Sequence, residues 1–170
     1  MSYEELVDRL IGDGFPNSVA TYAANHCGAD WNEQAVLVAK DYLDFMPYSR
    51  ATIIERLENH GFTHQQAVSG ADRCGADWNE QAVLYAIDYL DFMPCSRDGL
   101  IRAIENAEFS HEQAVFGADS CGADWYEQAA LEAEYYLSHY SYTRDEIIEY
   151  LEYEEFTHEQ AVYGVDAIGL

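Results

Sequence analysis

The chain has 170 residues, 49% of them hydrophobic, which is typical of a globular protein with a sizeable core. Its charge is unusual, because 32 Asp and Glu residues face only 8 Lys and Arg residues and give a formal net charge of −24. A surface this acidic repels nucleic acid and anionic membranes and attracts basic partners, which argues against direct binding to DNA, RNA or a membrane.

A repeat with a period of 47 residues runs through the whole chain. Equivalent positions carry the same residue in all four copies, for example Phe15, Phe62, Phe109 and Phe156. The segment CGADW begins at Cys27, Cys74 and Cys121, and the fourth copy ends at Leu170 before reaching it. We therefore predict three repeats, at 1–48, 49–95 and 96–142, followed by a half repeat at 143–170 that caps the array.

Each copy predicts three helices in chain order. The first follows a Ser or Thr, and Ser2 with Glu5 has the spacing of a capping box. In the second to fourth copies, the second helix follows another Ser or Thr with a Gln three residues later, as in Thr63 and Gln66. The third follows the Asp of CGADW and ends before a proline such as Pro47. The chain should therefore be all-α, with about eleven helices in three and a half tandem repeats, and elongated or solenoid-like.

Two features recur inside this pattern. Glycines stand in the middle of the second helices, where each costs about 1 kcal/mol relative to alanine, so we expect a neighbouring helix to approach closely there. They are Gly70, Gly117 and Gly164. Arginines follow the residue that opens each copy after the first, and we expect them to form ion pairs with an acid of a neighbouring copy, a contact surface being the alternative. They are Arg50, Arg97 and Arg144.

Acidic side chains recur along the face of the third helices that should be exposed. They are Glu33, Asp41 and Asp44 in the first copy and Glu80, Asp88 and Asp91 in the second. Paired carboxylates can serve acid–base catalysis or hold a divalent ion, but such a series is more simply a solvated helix face. Catalytic carboxylates need different environments that separate their pKa values, and a face copied in each repeat provides none. We predict that the protein is not an enzyme and has no catalytic residue.

The histidines and cysteines predict no metal site or cofactor. His64, His111 and His158 each follow the N-cap of a second helix, where a capping or surface role is simpler than metal binding. The cysteines include no C-x-x-C pair, and we interpret them as free thiols that pack as small apolar groups. They are Cys27, Cys74, Cys95 and Cys121.

The repeat resembles that of the Ltp family, in which the motifs are the S-R opening, F-[ST]-H-[EQ]-Q-A-V and C-G-A-D-W. The stretches SRDGLIRAIENAEFSHEQAVFGADSCGADWYEQA and TRDEIIEYLEYEEFTHEQAVYGVD carry the resemblance, which covers all four copies. The family consists of host cell surface-exposed lipoproteins of temperate phages and Gram-positive bacteria. The resemblance implies three-helix units like helix-turn-helix modules, and a protein that excludes superinfecting phages by blocking DNA injection, without enzymatic activity.

The N-terminal segment MSYEELVDRLIGDG lacks the basic start and apolar stretch of a secretory signal, and the first cysteine is Cys27. We therefore expect a cytoplasmic protein of a bacterial host. The leading hypothesis is then an intracellular inhibitor that occupies a basic, nucleic-acid-binding surface, in the manner of an anti-restriction or anti-CRISPR protein.

DNA mimicry is one form of this hypothesis, since 24 negative charges match roughly 40 Å of duplex at one charge per ~1.7 Å. The partner would be a protein with a basic surface. Binding would use the acidic faces, comprising Glu33, Asp41, Asp44, Glu80, Asp88, Asp91, Glu127, Glu134, Glu146, Glu149, Glu152, Glu154 and Glu155.

Two alternatives remain open. The first is superinfection exclusion by contact with an incoming phage protein, which predicts recognition through aromatic side chains that share one repeat position. They are Tyr22, Phe116 and Tyr163. It also predicts protection of cells only when the protein is exported. The second is a structural or scaffolding repeat without inhibitory activity, and the acidity would then serve solubility.

Overall fold

The computed structural model describes residues 1–170 and contains eleven α-helices and no β-strand. The predicted all-α class, helix number and tandem helical repeat are confirmed. The helices are α1 (Tyr3–Gly12), α2 (Asn17–His26), α3 (Trp31–Phe45), α4 (Arg50–Asn59), α5 (His64–Arg73), α6 (Trp78–Phe92), α7 (Arg97–Asn106), α8 (His111–Ser120), α9 (Trp125–His139), α10 (Arg144–Tyr153) and α11 (His158–Ala167).

Local signals start the helices where the sequence predicts caps, whereas α2 begins after Pro16 without a side-chain cap. Thr63 accepts a hydrogen bond from the backbone N–H of Gln66, whose side chain accepts one from the backbone N–H of Thr63, so the predicted capping box is present. Asp30 caps α3 by accepting bonds from the backbone N–H groups of Asn32 and Glu33, at 2.9 and 3.3 Å. The Glu33 side chain pairs with an arginine instead of closing a second box.

The chain forms two compact units, comprising residues 1–78 and 79–170. The first unit has one main core, in which α3, α4 and α5 bury Ala35, Ile53, Leu57 and Ala67. In the second unit, α6, α7 and α8 enclose one core and α9, α10 and α11 another. Every core joins the third helix of one sequence copy to the first two helices of the next.

The hydrophobic cores therefore do not coincide with the sequence copies, because each core begins with the third helix of a copy. The predicted boundary between 48 and 49 falls between α3 and α4, which share a core, and the boundary between 95 and 96 falls between α6 and α7 in the same way. In each core, the third helix of a copy packs on the two helices that follow it in the chain. The division into 1–48, 49–95, 96–142 and 143–170 stays a prediction about the sequence repeat.

The mid-helix glycines lie where two helices cross, as predicted. A Cβ on Gly70 of α5 would lie 3.0 Å from the carbonyl carbon of Ala35 in α3. A Cβ on Gly117 would lie 2.8 Å from the carbonyl oxygen of Ala82. Real Cβ atoms need more room than this. The crossing of the third and second helices thus requires glycine on one side and favours alanine on the other.

Candidate binding surfaces

The predicted acidic faces of the third helices are exposed to solvent. In α3 the alanines turn to the core, and Glu33, Asp41 and Asp44 lie on the opposite side. In α6 the exposed residues Glu80, Asp88 and Asp91 repeat this arrangement. The series changes in α9, where Tyr135 and Ser138 occupy the positions of the two aspartates and Glu127 and Glu134 remain exposed. The acidic face is therefore strongest on α3 and α6.

The acids predicted to bind at the end of the chain lie on and just after α10. Glu146, Glu149, Glu152 and Glu155 are exposed, whereas Glu154 is half-buried. Hydrogen bonds from the backbone and side chain of Thr143 lower the pKa of Glu146, so this carboxylate is part of the helix cap.

Several of these acids already have partners within the chain. Glu33 pairs with Arg73, Glu155 pairs with Arg102, and Glu152 lies 2.7 Å from His158. Four exposed aspartates of the third helices form no salt bridge; they are Asp41, Asp44, Asp88 and Asp91. The structure thus distinguishes acids that pair with a cationic side chain of the same protein from acids that face solvent without a cation.

The arginines that open the later copies form repeated ion pairs. Their partners lie 22 residues further along, at 2.7 Å in each case; the pairs are Arg50–Asp72, Arg97–Asp119 and Arg144–Asp166. The expectation of a partner in a neighbouring copy was wrong, because both members belong to one copy and α4, α7 and α10 pack beside the helix that follows. The hydrogen bond from Arg97 lowers the pKa of Asp119.

The histidines that follow the second-helix caps also form a repeated contact. Each Nδ1 lies 2.7 Å from a glutamate six residues earlier, at the end of the first helix; the pairs are His64–Glu58, His111–Glu105 and His158–Glu152. No group of three or more His, Cys, Asp or Glu side chains is placed to hold a metal ion. These histidines therefore link two helices at the surface.

The aromatic position predicted for recognition is exposed in all three copies that carry a ring there. The exposed fraction is 65% for Tyr22, 46% for Phe116 and 51% for Tyr163. The second copy has Ser69 at this position. The Tyr163 ring packs edge-on against Tyr126, with ring centroids 5.2 Å apart. Rings this exposed are available for contact with another molecule.

Glu132 was not predicted as a functional residue; it lies in α9 at a position that is apolar or aromatic in the other copies. Its equivalents are Val38 and Tyr85. Burial, with a smaller effect of Glu154, raises the pKa of Glu132 to about 7. Its Oε2 atom is buried and accepts no hydrogen bond. Comparing the copies at this position would have shown the carboxylate, because an acid replaces residues that pack against a core.

A pocket of about 270 Å³ opens beside this carboxylate, between the end of α6 and one face of α9. It is lined by Glu132 and by Phe92, Met93, Pro94, Tyr135 and Tyr136. Nearby, burial raises the pKa of the Cys95 thiol to about 12, which favours its protonated form. All four cysteines are free thiols, as interpreted from the sequence.

A family model described as host cell surface-exposed lipoprotein, Ltp, matches residues 30–68, 77–120 and 124–168. The three segments together span well over half of the chain. The chain belongs to the Ltp lipoprotein family. Each matched segment begins next to α3, α6 or α9, so the Ltp repeat has the phase of the hydrophobic cores. The predicted resemblance is confirmed. No curated protein and no solved structure matches the chain.

Membership of the Ltp family corrects the predicted localisation. We expected a cytoplasmic protein, and this expectation was wrong, because the family consists of lipoproteins exposed at the host cell surface. None of the eleven helices is both long enough and apolar enough to cross a membrane.

Proposed function

We propose that this Ltp lipoprotein is a non-catalytic binding protein that protects its host cell against superinfecting phage. It binds a protein of the incoming phage at the cell surface and blocks DNA injection. The observation that carries the proposal is the match of the Ltp family model to three successive helical units. The partner presents a basic surface, since the chain carries a formal net charge of −24.

Two sets of exposed side chains support this proposal. The first is one aspartate pair in each unit, Asp41 with Asp44 and Asp88 with Asp91, all free of salt bridges. The second is the aromatic ring at one repeat position of α2, α8 and α11. Carboxylates of the first kind attract a basic partner and speed its encounter, and exposed rings supply apolar contact area that charge alone lacks.

The intracellular-inhibitor hypothesis requires a cytoplasmic protein, so the family description removes its basis, and DNA mimicry of an anti-restriction or anti-CRISPR kind is not proposed. A scaffolding role has no specific observation in its favour. The absence of enzymatic activity remains part of the proposal.

The test is a phage challenge of cells that export the protein and display it at their surface. Adsorption and DNA entry are measured separately from plaque number. Displayed protein is expected to lower plaque number and DNA entry while adsorption stays unchanged. Equal plaque numbers with and without displayed protein would contradict the proposal, as would protection that depends on the protein staying inside the cell.

The two aspartate pairs are tested by changing all four residues together to asparagine. This variant is expected to lose protection, because the partner no longer meets these negative charges. The control changes four exposed carboxylates elsewhere, Asp8, Asp13, Glu112 and Glu159, to amides and has the same net charge as the test variant. Equal loss in both variants would show that only total charge matters and would reject a role for the two pairs.

The aromatic surface is tested with Phe116→Ser and Tyr163→Ser together. Serine already occupies this position in the second copy as Ser69, so the fold should be retained. The control is Tyr153→Ser, which removes a ring that is 80% exposed elsewhere. Protection should fall in the double variant and persist in the control.

A further inference from the structure

The pocket beside Glu132 has the size of a site for one side chain. Its volume of about 270 Å³ lies below the roughly 300–1,000 Å³ of pockets that hold drug-sized ligands. Apolar and aromatic residues line it, with one carboxylate among them. Walls of this kind accept the apolar stem of a long side chain, and the carboxylate selects the group at its end.

The chain supplies no hydrogen-bond donor to one oxygen of the Glu132 carboxylate. Glu132 Oε2 is buried without a hydrogen bond, and an unpaired buried acceptor destabilises the folded chain. The half-buried Glu154 adds negative charge nearby, and the arginine of this region, Arg102, is engaged with Glu155. A cationic donor entering from outside would satisfy the orphaned oxygen.

The repeat contains its own example of a cation at the equivalent tyrosine. In α4, the guanidinium carbon of Arg56 lies 5.6 Å from the ring centroid of Tyr42 and 4.2 Å from that of Tyr48. Tyr136 is the repeat equivalent of Tyr42, whereas the equivalent of Arg56 is Tyr150. The core formed by α9, α10 and α11 therefore keeps the ring and gains the carboxylate of Glu132, and in place of the arginine it has Tyr150, whose ring centroid lies 4.1 Å from that of Tyr136.

We infer that this pocket binds an arginine side chain of the partner protein, with the guanidinium donating to Glu132 and lying against the tyrosine rings. Arginine fits better than lysine because its planar group stacks on aromatic faces and donates several hydrogen bonds in fixed directions. The preference for a guanidinium stands on the pocket's geometry. That the arginine belongs to an incoming phage protein rests on the proposed function.

The first experiment titrates the full chain with the blocked peptide acetyl-Gly-Arg-Gly-amide at pH 8, where Glu132 is ionised, and follows backbone amide shifts by NMR. The same peptide with citrulline in place of arginine is the uncharged control. Shifts that cluster at residues 92–93 and 131–137 with arginine, and not with citrulline, are expected. Shifts spread over the exposed aspartates, or equal responses to both peptides, would overturn the inference.

The second experiment compares variants at Glu132 with a variant at Glu112. Glu132→Gln should weaken binding of the arginine peptide about tenfold, because a charge-assisted hydrogen bond is lost. Glu112→Gln removes the same charge from an exposed position outside the pocket and should leave binding unchanged. Glu132→Val, which restores the residue of the first copy, guards against misfolding and should weaken binding as much. Equal affinities for the Glu132 and Glu112 variants would overturn the inference.

The phage challenge then separates this inference from the proposed function. If Glu132→Gln loses peptide binding but protects cells fully, the assignment of the arginine to the phage protein is overturned. If the unchanged protein binds the peptide at the pocket yet gives no protection, the proposed function fails and the pocket's chemistry is supported. If Glu132→Gln loses both peptide binding and protection while the control variant keeps both, the assignment of the arginine to the phage protein is supported.

Discussion

Replacing Gly164 with alanine is expected to destabilise residues 79–170, although alanine is the better helix former. A Cβ at this position would lie 2.7 Å from the carbonyl carbon and oxygen of Ala129 and 3.1 Å from the nitrogen of Ala130. These are backbone atoms of α9, so no side-chain rotation relieves the contact, and α11 must move away. Overpacking of this kind costs about 1–3 kcal/mol, and alanine returns up to about 1 kcal/mol of helix propensity.

The free energy of unfolding should fall by about 1–2 kcal/mol. In a domain of this size, each kcal/mol lowers the melting temperature by roughly 4–8 °C. Calorimetry of the full chain measures it. Gly12→Ala is the control, because no atom lies within 4 Å of a Cβ there, and it should not lower the melting temperature. The distances at Gly117 and Gly70, 2.8 and 3.0 Å, predict smaller losses in that order. A melting temperature that rises for Gly164→Ala would refute the packing argument.

Two further predictions concern charge. The pKa of Glu132 is raised from 4.5 to about 7. The folded state therefore binds the proton of Glu132 more tightly than the unfolded state does. The resulting stabilisation is fully present below pH 4.5 and is lost as pH rises through 7. Discounted for partial exposure, Glu132→Gln should be stabilised relative to the unchanged protein by about 1–2 kcal/mol more at pH 8 than at pH 5 in urea unfolding. Moderate salt should raise the melting temperature of the whole chain, because it screens repulsion within a net charge of −24; an unchanged or lower value would contradict this.

The helices were predictable because their signals are local. Caps such as Thr63 with Gln66 act within one turn. Gly70 in mid-helix indicated a close helix crossing, although the sequence did not show which helix approaches it. The partner of Arg50 was not predictable, since it depends on which helix packs beside α4. Glu132 could have been found by comparing the copies, but its raised pKa depends on burial, which three-dimensional packing creates. The predicted localisation was wrong because it was argued from the N-terminal segment MSYEELVDRLIGDG alone.

The offset between cores and copies has an evolutionary consequence. Each core is completed across a copy boundary, so the fold depends on the period of 47 residues and not on where a copy is said to start. Duplication or loss of any stretch of this length joins helices to neighbours of the type they already had. A gene for such a protein can therefore lengthen or shorten through recombination at almost any point while every interior keeps its helix types.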